Sequence, residues 1–230
     1  ATNWITGELF AFQVASEFMP DIMTFAHGFG GAKASISGYV TSEKTFLSAY
    51  GNQADSLLHT STYNGFGEEC VTALKALQVV EDSDFPAKGK LIGEVLGPEL
   101  KKLSEQHPGQ LELTRGVGAF HMLVTRPIPL PANLATTVRE NHGLAAYERV
   151  CRQIAAMVLT QYLREEHNVL TCVEEVSGQP SVLICPPLVI SPEQLESCLN
   201  GIKAALGAGL EVLVSKACEK GFGESYKRFL

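Results

Sequence analysis

The sequence predicts a protein in which helices and strands intermix, of the α/β or α+β class. Two observations carry that expectation. Four segments repeat apolar residues at helical spacing, and three extended segments rich in β-branched and apolar residues lie between them, bounded by glycine or proline.

The first notable stretch is "FAHGFGGAKASISGYV", residues 25–40, where a short apolar run gives way to a glycine cluster with His27 before it and Lys33 after it. Such glycines suit either a loop approached closely by a bound group or an ordinary tight connection. Known fingerprints fail here. Counting from Gly28, a dinucleotide G-x-G-x-x-G loop needs glycine where the chain has Lys33, and a phosphate-binding Gly-Lys pair is excluded because Ala32 precedes Lys33.

Helical periodicity follows. In "FGEECVTALKALQVVED" the residues Cys70, Leu74 and Leu77 form an apolar stripe, and in "KLIGEVLGPELKKLSEQH" Ile92, Val95, Leu96 and Leu103 do the same. A boundary at "EDSDFPAK" divides the chain into residues 1–84 and 85–230. "LELTRGVGAFHMLV" reads as extended, and the proline spacing of "RPIPLPANLATTVRENHG" predicts an exposed connection. Tyr147, Val150, Ile154 and Val158 mark a longer helix ending near Asn168, followed by extended segments "NVLTCVEEV" and "SVLICPPLVI". The last helix starts at "SPEQ": Ser191 is a hydroxyl N-cap, Pro192 takes the first helical position and Gln194 the third. Leu195, Leu199, Ile202 and Leu206 supply its buried stripe.

Composition excludes several classes. With 230 residues, 45% hydrophobic and 19% charged, the chain can bury a substantial core. A formal charge of -7 and no basic patch argue against a dedicated nucleic-acid binder. No apolar run reaches the roughly 20 residues that cross a bilayer, and "ATNWITGELF" lacks the order of a secretion signal, so a cytoplasmic protein without a membrane partner is expected. Six scattered cysteines never form C-x-x-C and read as mostly buried thiols in a reducing compartment. Six histidines show no ligand spacing, and no metal is implied.

Taken in order, four segments resemble the C-terminal half of the class III aminotransferases, pyridoxal-phosphate enzymes of fold type I. "TGELFAFQVASEFMPDIMTFAHGFGG" resembles the run leading to the cofactor lysine and its glycines, and "LHTSTYNGFGEECVTALKAL" the His-x-Ser-Thr-aromatic segment that opens a helix. "LTRGVGAFHMLV" resembles the Arg-Gly-x-Gly strand, and "VLICPPLVISPEQLE" the Pro-Pro-Leu stretch before the last helix. "GGAKASISGY" and "TYNGFGEEC" are further similar to aminotransferase modules of secondary metabolism, the prodigiosin pathway among them. The resemblance implies that residues 1–84 are the end of the large cofactor-binding domain and 85–230 an α+β small domain. It implies pyridoxal phosphate as cofactor, a small-molecule amino donor and a carbonyl acceptor as substrates, and a homodimer with the site at the subunit interface.

Against the family pattern, His27 stands where the lysine that forms an imine with the cofactor belongs. Imidazole has no primary amine and cannot form that bond, although it can take up and release a proton. Three accounts follow: an altered active site that traps a bound state, a naturally degenerate family member, or Lys33 as a displaced imine lysine. The first two leave a chain with impaired chemistry, and a non-catalytic subunit that keeps the fold is the rival reading.

Ser61 and Thr62 match the family position whose threonine hydroxyl and backbone N–H hold the cofactor phosphate of the neighbouring subunit. A plain helix cap is the alternative. Many relatives carry an arginine three residues before the first proline of Pro-Pro-Leu, where its fork binds a substrate carboxylate; here that position is Leu183, which fits either a packing change or an acceptor without an α-carboxylate. The family aspartate that keeps the cofactor ring nitrogen protonated would fall a few residues upstream of Ala1, so the resemblance also implies a fragment of a longer polypeptide, inactive alone.

Overall fold

The computed structural model describes residues 4–15 and 19–219. The chain divides into two compact units, Ala1–Lys90 and Leu91–Leu230.

In the first unit, strand β1 (Ile22–Phe25) pairs antiparallel with β2 (Gly38–Thr41), Phe25 opposite Gly38. Helix α1 (Glu43–Tyr50) follows, its N-cap Ser42 accepting the Thr45 N–H at 3.2 Å. Helix α2 (Gly67–Asp82) turns Ala73 and Val80 inward. The expected stripe of Cys70, Leu74 and Leu77 is corrected here: Cys70 and Leu74 are exposed and Leu77 half-buried. Trp4 is buried, and an aromatic cluster of Trp4, Phe10, Phe25 and Phe29 centres on Phe29, whose ring lies 4.4 Å from that of Phe25.

Helix α3 (Phe85–Gln106) crosses the division between the units. Beyond it the second unit holds a four-stranded antiparallel sheet ordered β3–β4–β6–β5, from β3 (Leu111–Val117), β4 (Phe120–Thr125), β5 (Cys172–Val176) and β6 (Gln179–Ile184). Ser177 and Gly178 both take positive φ, the backbone of a type I′ turn between β5 and β6. Helices α4 (Ala132–His167), α5 (Pro192–Ala208) and α6 (Leu210–Glu219) complete the unit, α4 packing on the sheet and on both later helices.

Alternation along the strands decides which side chains meet the helices. Leu123, Val182 and Ile184 join the core of Leu96, Leu100, Leu159, Leu163 and Ile202, all essentially closed to solvent. On the opposite face, Arg115, Met122, Leu183 and Cys172 stand in one row across all four strands. The α5 N-terminus forms as its sequence predicts: Ser191 Oγ accepts the Gln194 N–H and Gln194 Oε1 accepts the Ser191 N–H. Gln110 clamps the bend between α5 and α6, its amide donating to the Leu206 carbonyl at 2.9 Å and accepting the Leu210 N–H at 2.7 Å.

Three further expectations need correction. "RPIPLPANLATTVRENHG" is not an exposed connection, because Ile128, Leu130 and Val138 are buried and helix begins at Ala132, interrupted at Gly143 (φ 78). The extended "SVLICPPLVI" ends at Ile184, beyond which the chain turns and Ile190 N–H donates to the Pro187 carbonyl. Only Cys151 and Cys198 of the six thiols are buried; Cys70, Cys172 and Cys185 are exposed and Cys218 is intermediate. Among the described residues no single helix is long and apolar enough to cross a membrane; α5 and α6 pass that test only as a pair bent by 79°.

Candidate active site

Strand β1 delivers the chain to the glycine cluster. His27 opens a single turn of 3-10 helix, His27–Gly30, at φ 54, a left-handed backbone that costs a non-glycine residue about 1–2 kcal/mol. Ala32 is also left-handed at φ 57. Strain of this kind concentrates at functional sites. The His27 side chain is exposed, and Lys33 lies farther along the same loop, also exposed.

The glycines are required by packing inside the unit. A Cβ on Gly28 would lie 3.0 Å from the Trp4 ring, one on Gly31 2.8 Å from Ala76 Cβ of α2, and one on Gly38 2.5 Å from the Phe25 ring. The loop is thus pressed flat between an aromatic cluster and a helix, and its shape presents His27 outward. Of the two readings of the cluster, the tight connection accounts for these three glycines.

Ser61 and Thr62 lie in an exposed turn ahead of α2. Neither caps that helix: its N-cap is Phe66, which offers no side-chain acceptor. Ser61 Oγ instead donates to Asn64 Oδ1 at 3.0 Å, and Asn64 Nδ2 donates to the His59 carbonyl at 3.3 Å. Among the described residues the Thr62 hydroxyl and N–H have no partner, and a Cβ on Gly65 or Gly67 would meet open space. Glu68 and Glu69 in the first turn of α2 complement the helix dipole. No hydrogen bond among the described residues joins His27 to Ser61 or Thr62.

Sequence reading missed a neighbouring feature. The His59 ring stacks on Tyr39 of β2 at 5.5 Å and 11°, at the wall of an open cavity of about 690 Å3 also lined by Ser37, Tyr50, Asn52 and Asn64. Partial desolvation at the cavity wall, and then the Tyr50 hydroxyl beside it, push the phenol of the exposed Tyr39 above its ordinary value. The three-residue offset of Ser61 and Asn64 signals only the local turn, as a side-chain turn motif, and carries no sign of the stack. Leu183 stands in the sheet row described above, flanked by Met122 and Cys172. Among the described residues no cluster of three or more histidines, cysteines or carboxylates could hold a metal ion.

Solved structures share this architecture. A thermostable (S)-enantioselective omega-transaminase from Thermomicrobium roseum superposes with a TM-score of 0.68 at 22% identity, covering 90% of this chain and 41% of its own. An acetylornithine aminotransferase from Elizabethkingia anophelis gives 0.61 at 22% identity, over 87% of this chain and 42% of its own. An amine transaminase from an uncultivated Pseudomonas species, solved in its pyridoxal-phosphate-bound internal aldimine form, gives 0.67 at 18% identity, over 90% of this chain and 42% of its own. An uncharacterised aminotransferase of Schizosaccharomyces pombe is 24% identical over 202 residues, 87% of this chain and 38% of the relative. The chain therefore spans about two fifths of the length of the relatives it matches. The fold is that of fold type I transferases, whose class III members use pyridoxal phosphate. Residues 5–206 match the family model for class III aminotransferases, and the chain belongs to that family.

Proposed function

We propose that the protein to which this chain belongs is an aminotransferase that uses pyridoxal phosphate to move an amino group from a small amino donor to a carbonyl acceptor, in a cytoplasmic biosynthetic step. The observation that carries this is the family match over residues 5–206, with the four motifs in family order. In this reading residues 1–84 close the large domain and 85–230 form the small one.

The residues present fit the cofactor in one respect and not in another. An exposed turn with an unpartnered hydroxyl and N–H at Thr62, and open space over Gly65, suits a phosphate. Position 27 does not suit covalent attachment, because an imidazole cannot form an imine. His27 in place of the family lysine leaves the protein able to hold the cofactor by its phosphate, and impaired in transfer.

A homodimer completes the site, Thr62 of one protomer serving the cofactor of its partner. Leu58, Tyr63, Phe66, Val71 and Leu74 form an exposed apolar series along this turn and α2, which supports a buried interface there. Leu183 puts no guanidinium at the position of the family arginine, which favours an aldehyde or ketone acceptor without an α-carboxylate; Arg115 of the same row stands two strands away.

The rival reading, a non-catalytic family member that binds cofactor or partner without chemistry, is favoured by His27 itself. The test is amino transfer by the full-length protein and its His27→Lys variant, supplied with pyridoxal phosphate and a panel of amines. Transfer gained by His27→Lys supports an impaired aminotransferase. Inactivity of both forms, with cofactor bound, supports the non-catalytic subunit.

A further inference from the structure

We propose that Asn64 is a positioning residue that holds Thr62 ready for the cofactor phosphate. This rests on the reading of Thr62 given above.

The geometry is a two-sided clamp. Asn64 Oδ1 accepts from Ser61 Oγ at 3.0 Å while its Nδ2 donates to the His59 carbonyl at 3.3 Å, and its own N–H donates to the Ser61 carbonyl at 3.2 Å. One carboxamide thus uses donor and acceptor together to close the segment from His59 to Asn64. His59 is itself fixed, its ring stacked on Tyr39 of β2. The turn is therefore tied to the sheet at one end and to Asn64 at the other. Thr62 lies between Ser61 and Asn64 and spends neither its hydroxyl nor its N–H within the described residues. A donor held in place before its ligand arrives avoids the ordering entropy that a mobile turn would lose on binding. Asn64 touches no phosphate in this account; it acts through Thr62.

A phosphate-specific readout separates this from a general structural role. Because His27 forms no covalent bond, the affinities of the full-length protein for pyridoxal phosphate and for pyridoxal can both be titrated by fluorescence. Their ratio isolates the phosphate contribution and is insensitive to a loss of folded protein. Thr62→Ala should lower the ratio by about tenfold or more, the range of a hydrogen bond to a charged group. Asn64→Ala should lower it comparably and add nothing further in the Thr62→Ala background, and Ser61→Ala, which removes one arm of the clamp, should lower it less. An unchanged ratio in Asn64→Ala beside a lowered one in Thr62→Ala overturns the clamp and leaves the phosphate reading standing. An unchanged ratio in Thr62→Ala, or no preference for the phosphorylated ligand in the unaltered protein, overturns both.

Discussion

Replacing Gly31 by alanine tests how the glycine loop is held. Gly31 sits at φ 59, and a Cβ there would lie 2.8 Å from Ala76 Cβ, well inside the ordinary carbon–carbon separation of about 3.5–4.0 Å. The left-handed backbone costs alanine about 1–2 kcal/mol, and forcing a methyl into a filled contact adds about 1–3 kcal/mol. Gly31→Ala should therefore destabilise the fold by about 2–5 kcal/mol. Gly65 supplies the control: its φ is 68 but nothing lies within 4 Å of an added Cβ, so Gly65→Ala should lose only the backbone share, about 1–2 kcal/mol. The second half of the test is Ala76→Gly, which removes the methyl that Gly31→Ala would strike. In that background the penalty for Gly31→Ala should fall to the level of the Gly65 control, although Ala76→Gly itself costs about 1 kcal/mol of helix propensity. Urea denaturation followed by circular dichroism reads all four variants. A Gly31→Ala penalty that is the same with or without the Ala76 methyl would refute the close approach of the loop to α2.

Two other outcomes follow from the second unit. Ser191→Ala removes the acceptor of the Gln194 N–H and half of a reciprocal capping pair, and should lower stability by about 1 kcal/mol in the same denaturation assay. His121 is buried, with its Nε2–H donated to the Gly118 carbonyl at 3.0 Å, and burial holds its pKa below the ordinary 6.5 despite that bond. Below pH 6.5 the unfolded chain takes up a proton that the folded one refuses, so stability should fall as pH drops from 6.5 to the folded value and level off beneath it. His121→Gln should flatten that limb in melting curves taken across the range, and an unchanged limb would show that another group is responsible.

What was legible in the sequence is what local chemistry determines. The capping box at Ser191 is visible because its donors and acceptors lie within four consecutive residues, and it forms as written. The phase of α2 was not legible. That helix carries apolar residues on two faces, and the face that turns inward, Ala73 and Val80, is chosen by packing partners that are remote in sequence. The prolines after Arg126 suggested an exposed connection, yet Ile128 and Leu130 are drawn into the core by elements that periodicity alone cannot place beside them.

The candidate site divides in the same way. His27, Ser61 and Thr62 could be picked out because ordered motifs flank them, and the Asn64 clamp closes within six residues, whereas the Tyr39–His59 stack depends on a fold that brings β2 against a turn 20 residues later. The glycine cluster was legible as a tight loop, but its reason was not. Contacts with Trp4 and Ala76 become visible only when the chain has closed around Phe29.

The proposed function puts pyridoxal phosphate against position 27. Borohydride reduction of the full-length His27→Lys variant in the presence of the cofactor, followed by peptide mass mapping, tests it most directly. A pyridoxyl label is expected on the peptide at position 27 of the variant and none in the unaltered protein. A label on Lys33, or none in either form, would contradict it.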